Sequence, residues 1–119
     1  MQTKKNRQKR KNIVGKLYAT WCGHCKTLEP EWKKMKRTVK KMMKGGVEFV
    51  EIESENMDNG LAKLNNKFRT NVKLQGGYPT LFKIDTDRKT VEYYSGNREA
   101  NEMTKWSTKR TGGKTQKRK

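Results

Sequence analysis

The sequence predicts an α/β domain with a mixed central sheet flanked by helices, in the order β-α-β-α-β-β-α. Three observations carry that prediction. Short β-branched and aromatic runs alternate with segments whose apolar residues recur every three or four positions. Turns rich in glycine or holding a proline separate them. The last two strands are joined by a hairpin, so the sheet combines alternating β-α units with an antiparallel pair.

The first strand is "IVGKLYA", Ile13 to Ala19. A helix follows from about Cys22, with Leu28, Trp32, Met35, Val39 and Met42 forming one apolar stripe. Pro30 lies inside the stripe and should kink the helix rather than end it, because the stripe resumes beyond it. "KGG", Lys44 to Gly46, is the stop signal. Val47 to Glu53 reads as the second strand and Asn59 to Phe68 as a short helix. "GGYPTLFKI", Gly76 to Ile84, gives a turn and the third strand, with Pro79 at its mouth. A hairpin through Asp85 to Lys89 leads into a fourth strand ending at Gly96. A last helix from about Glu99 to Lys109 places Ala100, Met103 and Trp106 on one side.

The chain has 119 residues, enough for one domain, and only 30% of them are apolar, so its core is small. Its formal net charge of +18 is concentrated at the ends. Residues 1–12 hold six basic side chains and no acid; residues 105–119 hold seven and no acid. The organisation expected is a basic disordered arm over 1–12, a folded domain over 13–110 and a basic tail over 111–119. No run approaches membrane-spanning length, and no membrane partner is expected. Nothing near residue 1 reads as a secretory segment, and "KTQKRK" is not a luminal retention signal. The expected location is therefore cytoplasmic, nuclear or packaged in a virus particle. Heavy use of lysine and asparagine, the mark of an AT-rich coding sequence, points toward the last. "KKNRQKRK", Lys4 to Lys11, suits phosphate contacts, but the arms lack interleaved aromatics. Binding to nucleic acid or another polyanion through them should be non-specific and salt-dependent.

Cys22 and Cys25 are the only cysteines and His24 is the only histidine. A structural staple is one reading, but closing so short a loop stabilises by roughly 2 kcal/mol or less. Zinc is another, but the chain has no further Cys or His to complete a closed site, so no metal is expected. The third is thiol–disulfide exchange, which needs no cofactor. A C-x-x-C between strand and helix places the first sulfur at the helix N-terminus, where free N–H groups and the helix dipole favour thiolate. Protonated His24 adds stabilisation. Stabilising the thiolate makes the disulfide a stronger oxidant.

At this point "YATWCGHCKTLEPEW" (Tyr18 to Trp32) resembles the active-site segment of the thioredoxin superfamily, and within it the catalytic domain of protein disulfide isomerases. "GGYPT" is similar to that family's cis-proline loop, and "YYSGNREANEMTKWSTKRTG" to its last strand and helix. The resemblance covers about Ile13 to Gly112. It implies a minimal thioredoxin fold and a disulfide oxidase or isomerase acting on proteins with thiols or disulfides. Cys22 is then the attacking nucleophile and Cys25 the resolving thiol. Trp21 shields the site, and Gly23 with His24 sets the redox poise. Pro79 is cis, so that the Tyr78 backbone pairs with an extended substrate, and Arg98 assists deprotonation of Cys25. A competing reading is a nucleic-acid- or virion-associated basic protein on a thioredoxin scaffold with secondary redox activity. The Cys pair together with Pro79 and Arg98 argues against it as the whole function.

Two departures from the family stand out. Its first strand and helix are missing before Ile13. Val47–Glu53 should then be a sheet edge guarded by Glu48, Glu51 and Glu53, with one sheet face thinly covered and open to a partner or a dimer contact. In addition, the family carries a buried carboxylate six residues before the first cysteine, where this chain has Lys16. On the next strand Glu51 stands where the family often places a lysine. Lys16 and Glu51 are thus a candidate charge-reversed proton-transfer pair. The alternative is that Lys16 extends out through the thinly covered face and does no proton chemistry.

Overall fold

The computed structural model describes residues 11–109. Nearly all of the basic arm and tail expected at the two ends lies outside the described residues. The elements run β1 (Asn12–Tyr18), α1 (Gly23–Met43), β2 (Val47–Glu53), α2 (Met57–Phe68), β3 (Thr80–Asp85), β4 (Thr90–Tyr93) and α3 (Ala100–Thr108). The sheet order is β2-β1-β3-β4, with β1 and β2 parallel and the other two pairs antiparallel. The sheet is mixed, and the element order is the one expected.

Alternation along β1 sorts its side chains to two faces. Val14 packs with Leu28, Trp32, Met35 and Val39 of α1 and Met103 of α3. Ile13 and Leu17 pack with Ile52, Leu64, Phe82 and Ile84 on the α2 side. The α1 stripe ends differently from the expectation. Met42 is 59% exposed, and Met43, one four-residue step beyond Val39, packs against the core instead. The helix is continuous through Pro30. It ends on Lys44, not a glycine, in the left-handed region at φ 38°, with Gly45 at φ 94° behind it. Helix α2 starts two residues earlier than expected, behind a one-turn 3-10 segment, Ser54–Asn56. The Glu53 carboxylate initiates that segment by accepting the Glu55 N–H at 2.8 Å. Strand β4 stops at Tyr93, short of Gly96. There the chain turns away, and the Tyr94 hydroxyl donates to the Asn97 carbonyl.

β2 is a sheet edge, but its glutamates do more than face water. Glu48 pairs with Lys11 at 3.8 Å, and Glu53 accepts the Thr20 N–H at 3.2 Å. Glu51 accepts from both Trp32 and Lys36. The α2 side of the sheet is not left bare at its centre. Ile13, Phe82 and Ile84 are fully buried, sealed by α2 and Val72. The Phe82 ring lies over Gly15, where a Cβ would sit 2.2 Å from its Cζ. Gly15→Ala is expected to lose about 1–3 kcal/mol of stability through overpacking, read as a lower urea midpoint with unchanged slope.

At the far end from the cysteines, β1 ties the ends of two helices together. Asn12 donates its backbone N–H to the Gly46 carbonyl just past α1, at 2.9 Å. Its side-chain amide donates to the Ser107 carbonyl at the end of α3, at 3.0 Å. The fully buried Lys83 donates to the Trp106 and Lys109 carbonyls, capping the same helix end. Burial lowers its ammonium pKa to about 8.

Candidate active site

The turn from β1 into α1 presents the two sulfurs. Cys22 is the N-cap of α1, in extended conformation, and its Sγ accepts the Cys25 N–H at 3.2 Å. That position normally belongs to Ser, Thr, Asp or Asn, whose oxygen satisfies one of the helix's free N–H groups. A sulfur there does the same best as a thiolate, and the helix dipole adds to the preference. Cys22 also lies 3.6 Å from the Tyr78 carbonyl, to which its thiol donates. Both cysteines are free and buried, at 9% and 5% exposure.

The two thiols are driven apart. The hydrogen bond with the Cys25 thiol holds the Cys22 pKa below the ordinary range, against a smaller opposing effect of burial. The Cys25 and His24 N–H groups and the Arg98 charge add to the lowering. Burial pushes Cys25 up, and its hydrogen bond to Cys22 pushes the same way. An Ala19 N–H and the Lys16 charge partly offset this. The arrangement makes Cys22 the more readily ionised of the two thiols and Cys25 the less.

Around this pair the expected residues take separate places. Trp21 is 70% exposed and packs edge-on against the Tyr78 ring, 5.7 Å between centroids. The Tyr78–Pro79 peptide bond is cis and Pro79 is buried. His24 and Arg98 are both exposed and line one cleft of about 390 Å³, with Glu31 and Glu99. Arg98 acts on Cys22 there. At Cys25 the cation that lowers the pKa is Lys16.

Lys16 lies on the other side of the pair. Alternation along β1 turns it toward α1, not toward the α2 face through which it was to escape, and it is 2% exposed. Its Nζ meets Glu29 Oε1 at 2.6 Å and stands over the Tyr18 and Trp32 rings, at 4.7 and 5.3 Å. Glu51 is its cross-strand neighbour, yet makes its own hydrogen bonds to Trp32 at 2.9 Å and Lys36 at 2.8 Å. Burial pushes Glu51 up, but those two bonds and the Lys16 charge outweigh it and leave the carboxyl below the usual range. The direct partner of Lys16 is therefore Glu29, which the sequence reading missed. The signal was available: Glu29 is four residues past Cys25, on the same face of the helix one turn on. Among the described residues no group of three or more His, Cys, Asp or Glu is placed to hold a metal ion.

Two buried free cysteines, one capping a helix N-terminus, beside a cis-proline loop on a mixed sheet define a dithiol domain. The chain belongs to the thioredoxin family, whose model matches residues 3–109. It is 33% identical over 106 residues to a protein disulfide-isomerase of Oryctolagus cuniculus, covering 86% of this chain and 18% of that protein. It is 34% identical over 106 residues to the Gallus gallus protein disulfide-isomerase, with the same two coverages of 86% and 18%. The chain thus spans less than a fifth of the length of these relatives. Among solved structures it is similar to the first thioredoxin domain of mouse protein disulfide-isomerase A4. The TM-score is 0.58 with 26% identity, over 81% of this chain and 60% of that one. Full-length ERdj5 shares the fold at a TM-score of 0.61 and 22% identity, over 87% of this chain and 14% of that one. Fold, family and relatives together support a thiol–disulfide oxidoreductase.

Proposed function

We propose that the Cys22/Cys25 couple forms or rearranges disulfides in protein substrates. The observation that carries this is Cys22 Sγ in the N-cap of α1, accepting the Cys25 N–H at 3.2 Å. To open a substrate disulfide, the Cys22 thiolate attacks one sulfur, a mixed disulfide forms and the other substrate sulfur leaves as thiolate. Cys25 then loses its proton and attacks Cys22 Sγ, closing the internal disulfide and releasing the second substrate thiolate. Run in reverse, the same steps oxidise a dithiol substrate. Tyr78 packs against the cluster that holds Cys22 and Cys25, and Trp21 packs edge-on against the Tyr78 ring. The Tyr78 backbone is the pairing partner for an extended substrate segment. Stabilised thiolate at Cys22 favours the reduced dithiol, and so an oxidising couple. The test is equilibration in glutathione buffers followed by alkylation. The expected potential is about −180 mV, whereas a value near −270 mV means a reductant and overturns the oxidase or isomerase direction.

A second property is favoured by a separate observation. Arg37, Lys40, Lys41 and Lys44 are exposed on the last turns of α1, and no acidic residue follows Glu31 on that helix. Lys11 and Lys109, where the chain enters and leaves the described domain, are brought to this same end by Asn12. We infer that this pole, about 22 to 33 Å along α1 from Cys22, binds polyanions such as the nucleic-acid phosphate backbone.

A further inference from the structure

Helix α1 carries a row of positive charge that runs from the basic pole to the cysteines. At about 100° per residue, Lys26, Lys33, Arg37 and Lys40 fall within about 60° of one another, on a row about 21 Å long. All four are exposed, and Lys44 continues the row just past the helix end. No valine, leucine, isoleucine, methionine or aromatic residue shares that face, so it offers nothing to insert into lipid or to anchor a partner helix. The carboxylates on its flank are matched by cations outside the row. Glu29 meets the buried Lys16 at 2.6 Å, and Glu51 meets Lys36 at 2.8 Å. Lys33 approaches Glu29 only to 4.0 Å, and Lys26, Arg37 and Lys40 form no ion pair among the described residues. The opposite sign gathers at the mouth of the redox site. Glu31 and Glu99 outnumber Arg98 in the cleft beside His24, and Glu53 accepts the Thr20 N–H in the turn before Cys22.

We propose that this face of α1 is a track for the nucleic-acid phosphate backbone that ends at the redox site, and that the disulfides acted on belong to cationic proteins bound to the same nucleic acid. The inference rests on both readings above, the oxidoreductase couple and the anion-binding pole. Successive charges of the row stand about 4.5 to 10.5 Å apart along the helix, so each reaches a phosphate of its own. Such contacts hold the backbone and read no base. The row brings that backbone to Lys26, about 6 Å along the helix from Cys22. There the row stops and the acidic mouth begins, so a cationic segment leaving the phosphates meets carboxylates next to the attacking sulfur. Mass charge explains why a shared polyanion matters. A chain of formal charge +18 repels another cationic protein in free solution. A polyanion that holds both offsets the repulsion and converts their encounter into one between neighbours, at an effective concentration set by how closely they sit.

The test uses the full reduced chain and a lysine-rich peptide disulfide at low salt, with and without a duplex oligonucleotide. A neutral peptide disulfide of the same length is the control. Duplex at limiting concentration should raise the rate on the cationic peptide by at least about tenfold. Excess duplex should return it toward the duplex-free rate, as chain and peptide distribute to separate molecules, and the neutral peptide should gain nothing. The double variant Lys26→Gln, Lys33→Gln leaves the pole intact and removes the half of the row nearest the cysteines. Its logarithmic salt slope for the duplex should be shallower than the wild type's by about two. Its duplex-dependent gain, taken relative to its own duplex-free rate, should fall. Circular dichroism melts check that it folds. A wild-type slope in the folded variant overturns the track, and an equal gain with the neutral peptide overturns the substrate class. A gain from vesicles of anionic lipid with none from duplex overturns the partner. A wild-type chain that exchanges with neither peptide sinks the oxidoreductase reading instead, and one that fails to bind duplex at low salt sinks the anion-binding pole.

Discussion

Cys25→Ala is expected to stop turnover while turning the protein into a trap for its substrates. The Cys22 sulfur keeps its N-cap position, because the N–H it accepts belongs to the backbone of residue 25 and survives the substitution. It can still attack a disulfide and form the mixed species. Nothing remains to resolve that species, so covalent adducts should accumulate to one equivalent per chain, visible on non-reducing gels and lost on adding dithiothreitol. Cys22→Ser removes the attacking sulfur and should reduce exchange to the uncatalysed level with no adduct at all. The pH dependence separates the two thiols further. Hydrogen bonding from the Cys25 thiol is the largest cause of the lowered Cys22 pKa. Its loss in Cys25→Ala should move Cys22 back up toward the ordinary thiol range. Alkylation of Cys22 by iodoacetamide near pH 6 should therefore be slower in Cys25→Ala than in the wild type, and the two should converge as pH rises. Adduct accumulating in Cys22→Ser and not in Cys25→Ala would reverse the roles assigned to the sulfurs.

Much of this arrangement was legible before the fold was known, for reasons that differ by element. Strand β2 was read to its exact ends, because "VEFVEIE" sits between a glycine stop and a polar turn. The α1 core stripe was readable from its period as far as Val39 and failed at Met42. Beyond Val39 a three-residue and a four-residue step are almost equally good, and only packing chooses Met43. The cysteine pair was legible because chemistry and local geometry coincide within four residues. Lys16 was singled out, but its partner was not. The family resemblance, which set Glu51 where a lysine often stands, suggested a pair; the two are cross-strand neighbours, yet their side chains reach different groups on α1. A register describes Cα positions, and a lysine's long side chain lets it choose among several carboxylates within reach. Arg98 was legible only in part. Its place after Gly96 was clear, but the cleft it shares with His24 depends on how the α3 entry folds against α1. There the Ala100 N–H donates to Glu31 at 2.8 Å.

Neutralising the basic pole is expected to weaken polyanion binding sharply and leave the thiol chemistry alone. Each lysine or arginine that neutralises a phosphate releases condensed counterions, so affinity falls with salt at a slope of about −0.9 per contact on duplex DNA. The triple variant Arg37→Gln, Lys40→Gln, Lys41→Gln removes three exposed charges that form no ion pair among the described residues. Glutamine keeps the helix propensity of α1 and avoids placing a negative charge at the helix C-terminus. The logarithmic salt slope for a duplex oligonucleotide should become shallower by about three, and affinity at low salt should drop by one to two orders of magnitude, about 1.4 kcal/mol per factor of ten. Fluorescence anisotropy across a salt series reads both. The reason to expect independence from redox activity is distance. The three substituted charges lie about 22 to 28 Å along α1 from Cys22, about three Debye lengths at physiological salt. A slope identical to the wild type would remove Arg37, Lys40 and Lys41 from the binding surface and overturn the assignment to this pole. A changed slope together with an altered Cys22 alkylation rate would mean that the two ends communicate, which screening of that strength does not allow for fixed charges alone.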